Sequence, residues 1–370
     1  MASSLSEQAA MAPDFIERTW PQAQEAAWGL FDRKLENVRQ VIVCGCGDSH
    51  HAAVSLGWTI ANWTGLPAAG LTALEAARYL IPHLNSEAGR VLLVAISASG
   101  ATVRTREAVA LAKSVGMQTL AVTMAPAAGP LAAEADSSIQ LQMPAVAGGP
   151  GLLSYLAALL AGYALAARLP PGEVQETVDT GLTQMSKHLA AWQAGQRSVA
   201  AELLERFDPA WPLMFLGSGP AHGSARFAAA KCIEAGGQVA WAQEVEEWAH
   251  LEYFCDPAEL PVWILSGKGA SVGREREVAE AARRIGRTVA LSEWEPAHRM
   301  PAWLRESLAP LVLWSGPLMF ADQWMSRIGQ EPFRGFGGGR SRDQGGGISR
   351  IRSSERVTSL VELSSFRSRN

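Results

Sequence analysis

One strand-and-turn plan is written twice in this chain, about 170 residues apart, a spacing that means duplicated α/β domains and not a solenoid of short repeats. The first copy reads Val41-Ile-Val-Cys44-Gly45-Cys46-Gly47 and the second Leu213-Met-Phe-Leu-Gly217-Ser218-Gly219. Each is an apolar run that ends in a Gly-rich corner and leads into an Ala-rich helical pattern. Further on, Pro261-Val-Trp-Ile-Leu-Ser266-Gly267-Lys268-Gly269 mirrors the stretch from Val91 to Gly100, and Thr288–Leu291 mirrors Thr119–Val122. Strands alternating with helices give parallel sheets with helices on both faces. The expected fold is therefore α/β: two tandem, doubly wound αβα sandwich domains with parallel sheets.

An amphipathic helix is predicted from about Pro13 to Leu35, with aromatics at Phe15, Trp20, Trp28 and Phe31. The expected organisation is a helical segment 1–36, a first domain 37–170, a helical connector 171–208, a second domain 209–333 and a Gly/Arg-rich tail 334–370. A chain of 370 residues, 48% hydrophobic, can bury two cores. Its net charge of −4 offers no basic face to a phosphate backbone, so nucleic acid is not an expected partner. Four cysteines without metal spacing point to neither a disulfide framework nor a metal site, and Cys44 and Cys46 read as packing residues. The first residues lack a basic region with an apolar core, and no apolar run is long enough to span a membrane. A cytoplasmic protein is expected.

The turn after the 91–96 strand carries the chemistry. Ser97, Ala98, Ser99, Gly100, Ala101 and Thr102 sit between an apolar strand and a helical pattern from about Val103 to Val115. Free N–H groups at a helix start, with three hydroxyls beside them, make an anion pocket. Ser and Thr at a helix start also serve as ordinary N-caps. The second Gly-rich turn, Gly45 to Ser49 with Gly47 at its corner, favours the pocket. The dinucleotide fingerprint lacks its third glycine and no triphosphate-binding loop occurs, so the pair of turns suits a phosphorylated sugar better than a nucleotide.

Two strand–Gly-x-Gly–helix copies, with Ser-x-Ser-Gly-x-Thr in the first, resemble the double sugar-isomerase (SIS) family, which includes the isomerase half of glucosamine-6-phosphate synthase. The resemblance covers about Val41 to Arg340. It implies phosphate binding at Gly47, Ser49, Ser97, Ala98, Ser99 and Thr102, where Ala98 replaces the family's usual Gln and Ala101 its usual acidic residue. It also implies a catalytic set. Lys231-Cys-Ile-Glu234 stands before Glu247-Trp-Ala-His250 with the family's spacing of sixteen residues between Glu234 and His250. In that reading Glu234 shuttles the proton between C1 and C2 and Lys231 steadies the carboxylate and the developing oxyanion. His250 opens the ring from the neighbouring subunit, and Glu247 and Arg340 stand behind these groups. The bland alternatives are a surface Lys231–Glu234 ion pair, a structural His250 and a helix-face charge at Glu247. Trp241, Trp248 and Trp263 read as core or dimer surface.

The chain also departs from the synthase. Residue 2 is alanine and only about forty residues precede the first sugar-binding strand, so glutaminase activity is not expected. No lysine follows Lys268, and Gly335–Arg340 stands where the synthase tail supplies its Schiff-base amine. Leu251-Glu252-Tyr253 replaces the family's common Gly-Pro after the Glu-x-x-His. The resemblance then implies a phosphosugar aldose–ketose isomerase without glutaminase activity. A fructosamine-phosphate deglycase or aminosugar-phosphate deaminase is the alternative, and a sugar-phosphate-binding regulator a third. The expected partner is a small sugar phosphate, with no cofactor, no metal, no nucleic acid and no membrane. A homodimer sharing its site across the interface is expected.

Overall fold

A computed structural model of the chain describes residues 4–30, 35–84, 88–125, 129–146, 148–169, 174–296, 299–329, 332–335 and 355–369. Two compact units emerge. The first comprises Ile16–Pro144, Leu153–Asp179 and Arg340–Asn370; the second comprises Met1–Phe15, Ala145–Leu152 and Thr180–Gly339.

The first unit is built on β1 (Gln40–Gly45), β2 (Ala68–Thr72), β3 (Val91–Ile96), β4 (Gln118–Thr123) and β5 (Ser137–Gln140), all parallel in the order β2-β1-β3-β4-β5. Every residue of β3 is buried, as a central strand covered on both faces must be. The pleat sends Ile42, Cys44, Leu93 and Ala95 into one apolar cluster with Ala108, Leu111 and Ala112 of the helix Val103–Ser114. Val357 and Leu363, from the C-terminal segment, complete that cluster. The helix Asp48–Thr64 presses on β2 so closely that a Cβ at Gly57 would meet the Gly70 nitrogen at 2.5 Å. A buried carboxylate, Glu107, stands beneath the C-terminal segment: Arg78 Nε donates to it at 2.6 Å, Arg104 pairs with it, and the Val357 N–H donates to it at 2.9 Å.

The second unit holds β6 (Leu213–Leu216), β7 (Ala240–Gln243), β8 (Pro261–Ser266) and β9 (Thr288–Glu293), parallel in the order β7-β6-β8-β9. Met214, Leu216, Val262 and Ile264 face Val278, Ala279 and Ala282 of the helix Val272–Arg284 and also pack with Trp248. On the opposite face Phe215 stacks on Trp263, whose ring edge meets Phe320. The Trp263 indole N–H donates to Ser292 Oγ at 3.0 Å, and that hydroxyl donates to Gln196 at 2.7 Å, so the buried indole N–H has its partner. Trp248 and Trp263 are thus core residues, while Trp241 is half-buried.

The N-terminal helix runs Ser4–Trp28, not Pro13–Leu35. Pro13 and Pro21 lie within it, where proline ordinarily breaks a helix. Burial of Leu5, Ala9, Ala12, Ile16, Trp20, Ala23 and Ala27 at helical spacing outweighs that cost. Among the described residues no helix is long and apolar enough to cross a membrane.

Candidate functional site

In the first unit, the strand order reverses between β1 and β3, with all strands parallel: β1 pairs with β2 on one side and β3 on the other. The turns leaving these strands flank the crevice where open α/β sheets bind ligands. Gly47 opens the helix Asp48–Thr64 with φ 56° and ψ −129°, a conformation reserved for glycine, and its carbonyl accepts from the His50 and His51 N–H groups. Ser49 therefore lies in the first turn of that helix. A Cβ at Gly45 would meet the Ser49 Cβ at 2.6 Å, so the strand end can pass the helix only as glycine.

The turn after β3 is held from both sides. Gly100 takes φ 64°, its N–H donates to the Ser97 carbonyl, and its own carbonyl accepts from Leu131. Met124 donates to the Ala98 carbonyl at 3.1 Å, fastening the turn to the end of β4. Ser97 is buried and its Oγ lies 2.9 Å from Thr102 Oγ1. Ser99 is exposed and accepts the Ala101 N–H at 3.3 Å. Thr102 occupies the N-cap position of Val103–Ser114, yet its side chain makes no cap hydrogen bond and turns to Ser97 instead. Among the described residues no carboxylate reaches Ser97, Ser99 or Thr102. The structure thus brings Ser97, Ala98, Ser99 and Thr102 onto one turn, with Gly47 and Ser49 on the turn of the neighbouring strand.

In the second unit the helix Pro220–Gly236 starts at Gly219, with φ 55° and ψ −133°. One turn from its end, Lys231 is fully buried and its Nζ meets Glu234 Oε2 at 2.5 Å. The Phe227 ring lies 4.8 Å from that ammonium. Burying an ammonium is costly unless it is paired; Glu234 supplies that partner, and Lys231 in turn fixes the carboxylate. Glu234 keeps 30% of its side chain exposed, which leaves a pinned carboxylate presented at a surface. The ordinary surface pair of two mobile side chains is not what forms here.

His250 stands elsewhere. It is 70% exposed and its Nε2 lies 3.1 Å from Glu246 Oε1, a partner the sequence spacing did not single out. Arg274 Nε also binds Glu246 at 2.5 Å and, with His250, holds that carboxylate below the usual range. Glu247 is exposed and takes its backbone partner from Glu244. Glu244 was not foreseen either: it caps the short helix Val245–Trp248 by accepting the Glu246 and Glu247 N–H groups, and Ser218 donates to its other oxygen. The signal for it was the hydroxyl inside Gly217-Ser218-Gly219. Arg340 lies outside the described residues. Among the described residues no group of His, Cys, Asp and Glu is placed to hold a metal ion.

Residues 34–168 match the model of the SIS domain. The matched residues fall mostly within the first unit. The chain is 31% identical over 195 residues to the isomerizing glutamine–fructose-6-phosphate aminotransferase of Mycolicibacterium smegmatis, a match covering 51% of this chain and 30% of that protein. It therefore spans about a third of the length of such relatives. In structure it is similar to glucosamine-6-phosphate deaminase of Thermotoga maritima, with a TM-score of 0.70, 18% identity and 89% and 96% of the two chains covered. It is similar also to tagatose-6-phosphate ketose/aldose isomerase of Escherichia coli, with a TM-score of 0.68, 18% identity and 90% and 95% covered. These structures share the fold of this chain.

Proposed function

We propose that the chain is a phosphosugar aldose–ketose isomerase acting on a hexose or aminohexose phosphate. The observation that carries this reading is the Lys231–Glu234 pair: a carboxylate held at 2.5 Å by a buried ammonium yet still partly exposed. Such a group is a fixed proton carrier, and fixed acid–base groups contribute roughly 10²–10⁴-fold to rate. Glu234 takes the proton from C2 of the open-chain aldose. The C2–H electrons form the C1–C2 double bond, the C1 carbonyl oxygen takes a proton, and a cis-enediol results. Loss of the O2 proton and return of a proton to C1 from Glu234 gives the ketose. Lys231 lies beneath the carboxylate and acts by positioning it.

Anion recognition falls to the SIS turn, where the hydroxyls of Ser97, Ser99 and Thr102 and the helix start at Val103 suit a phosphate. Ser49 joins them from the adjacent turn. The second unit is read as a further SIS-type domain, since its strand order and the backbone angles of Gly219 repeat those of the first. His250, 70% exposed, suits a ring-opening acid supplied across a homodimer interface. A sedimentation experiment that finds an active monomer removes that role.

The solved glucosamine-6-phosphate deaminase, alike over 89% of this chain, favours a second reading in which the same proton shuttle ends in release of an amine. Proton NMR in deuterated water, with hexose, hexosamine and fructosamine 6-phosphates, separates the two. Deuterium entering at C2 without amine release supports the isomerase; free amine or ammonia supports the deglycase or deaminase. Glu234→Gln abolishes either turnover while phosphosugar affinity stays within a few fold. Turnover that survives the change sinks the mechanism.

A further inference from the structure

Strand registers allow the two units to be matched position by position. β4 begins opposite Leu92 of β3, and β9 begins opposite Pro261 of β8. Counting on from these pairs sets Ser266 against Ser97, Gly269 against Gly100, Ala270 against Ala101 and Ser271 against Thr102. The helix starts agree, because Thr102 and Ser271 are both N-caps. The registers of β1 with β3 and of β6 with β8 likewise set Gly219 against Gly47 and Ala221 against Ser49. The second unit therefore has the same crevice, framed by the same two turns.

That crevice is filled by the protein itself. Ser266 and Ser271, counterparts of the mutually bonded Ser97 and Thr102, both donate to Glu275, Ser271 Oγ at 2.7 Å. Glu275 is 1% exposed. The first unit has Arg106 at that position, and it turns away to Glu134. A second carboxylate comes from the helix Ala302–Leu308: Glu306 Oε1 accepts the Ala270 N–H at 3.3 Å. A Cβ on Gly269 would land inside the Glu306 carboxylate, and one on Gly219 would lie 3.6 Å from its Oε1. Glu306 thus sits between the two glycine turns, whereas among the described residues no carboxylate reaches Ser97, Ser99 or Thr102 of the first unit.

We infer that Glu306 is a built-in anion that closes the crevice of the second unit to phosphate, so that the chain takes one external phosphoryl group and takes it on the first unit. This deepens the reading of Ser97–Thr102 as an anion site and rests on it for the location of that one group. It narrows the substrate to sugars with a single phosphate-type anion. Removing the Glu306 carboxylate should uncover the turn amides and make a second phosphate site.

Equilibrium dialysis with inorganic phosphate tests this on the full chain. The wild type should bind one equivalent and the Ser97→Ala, Thr102→Ala double variant none. Glu306→Ala should bind two, and the triple variant should retain one. Glu306→Ser serves in its place should the alanine variant not fold by circular dichroism. A folded Glu306 variant that binds no more phosphate than its parent overturns the proposal, as does a wild type that already binds two equivalents. If the double variant binds as the wild type does, the Ser97–Thr102 reading fails. The gain or absence of an equivalent on changing Glu306 still decides the role of that residue.

Discussion

Val357 donates its backbone N–H to the buried Glu107 carboxylate at 2.9 Å, across 250 residues of sequence. The same carboxylate accepts from Arg78 and Arg104, so one side chain joins the C-terminal segment to the helix that starts at the Ser97–Thr102 turn. Glu107→Ala should take a buried carboxylate away from two half-buried guanidinium groups and from the Val357 N–H. Breaking a buried pair this way costs about 3–5 kcal/mol, which urea unfolding should show. Limited proteolysis should then cut within 355–369 faster than in the wild type.

Lys231→Met keeps the volume of the buried side chain and deletes the charge that pins Glu234. A displaced catalytic group of about 1 Å can cost on the order of 10²-fold, so kcat should fall by that order while KM changes little. An equal rise in KM would show that Lys231 meets the sugar and does not act through Glu234.

Hydroxyl loss at the SIS turn should appear in binding. Hydrogen bonds to charged groups contribute about 1.5–3 kcal/mol each, so Ser97→Ala with Thr102→Ala should weaken phosphosugar affinity by at least ~10-fold. Calorimetric titration reads the affinity, and an unchanged melting temperature shows that the fold is spared. Normal binding by the double variant would remove the phosphate role from this turn.

Acid should loosen the first unit through Glu134. Partial burial pushes its carboxyl up, but hydrogen bonds and charge from Arg106 and Arg356 outweigh that and hold it below the usual carboxylate range. Its contribution is therefore complete above the ordinary carboxylate value and is lost as pH falls through the lowered one. The wild-type melting temperature should drop across that acid window, and Glu134→Gln should flatten the drop. A variant as pH-sensitive as the wild type would assign the acid response to other groups.

The strands and glycine corners were legible because backbone geometry is local. Gly47 and Gly219 adopt angles that only glycine takes readily, and each follows an apolar run ending in a second glycine. Lys231 and Glu234 were legible as a pair because three residues on a helix bring side chains together. Their burial was not, since it depends on what the helix packs against. Glu244 and Glu306 escaped for a related reason, since each reaches its turn from another element; Glu275 stands one helical turn after Ser271, and its burial depends on packing. His250 was found by spacing, but its contact with Glu246 runs along one helical turn that the Glu-x-x-His pattern skips. The helix start at Ser4 was missed because Pro13 reads as a first-turn proline when tertiary burial is left out.

The core of the first unit is closed by Val357 and Leu363, while its five strands end at Gln140. On a ribosome adding about 5–20 residues per second, that closing segment follows β5 by roughly 10–40 seconds, with the whole of β6–β9 made in between. Through that interval Glu107 stands without the Val357 amide and the apolar face around Leu93 and Leu111 stays open. The first unit therefore keeps part of its apolar core open until the unit that lies between its strands and its closing segment has been translated.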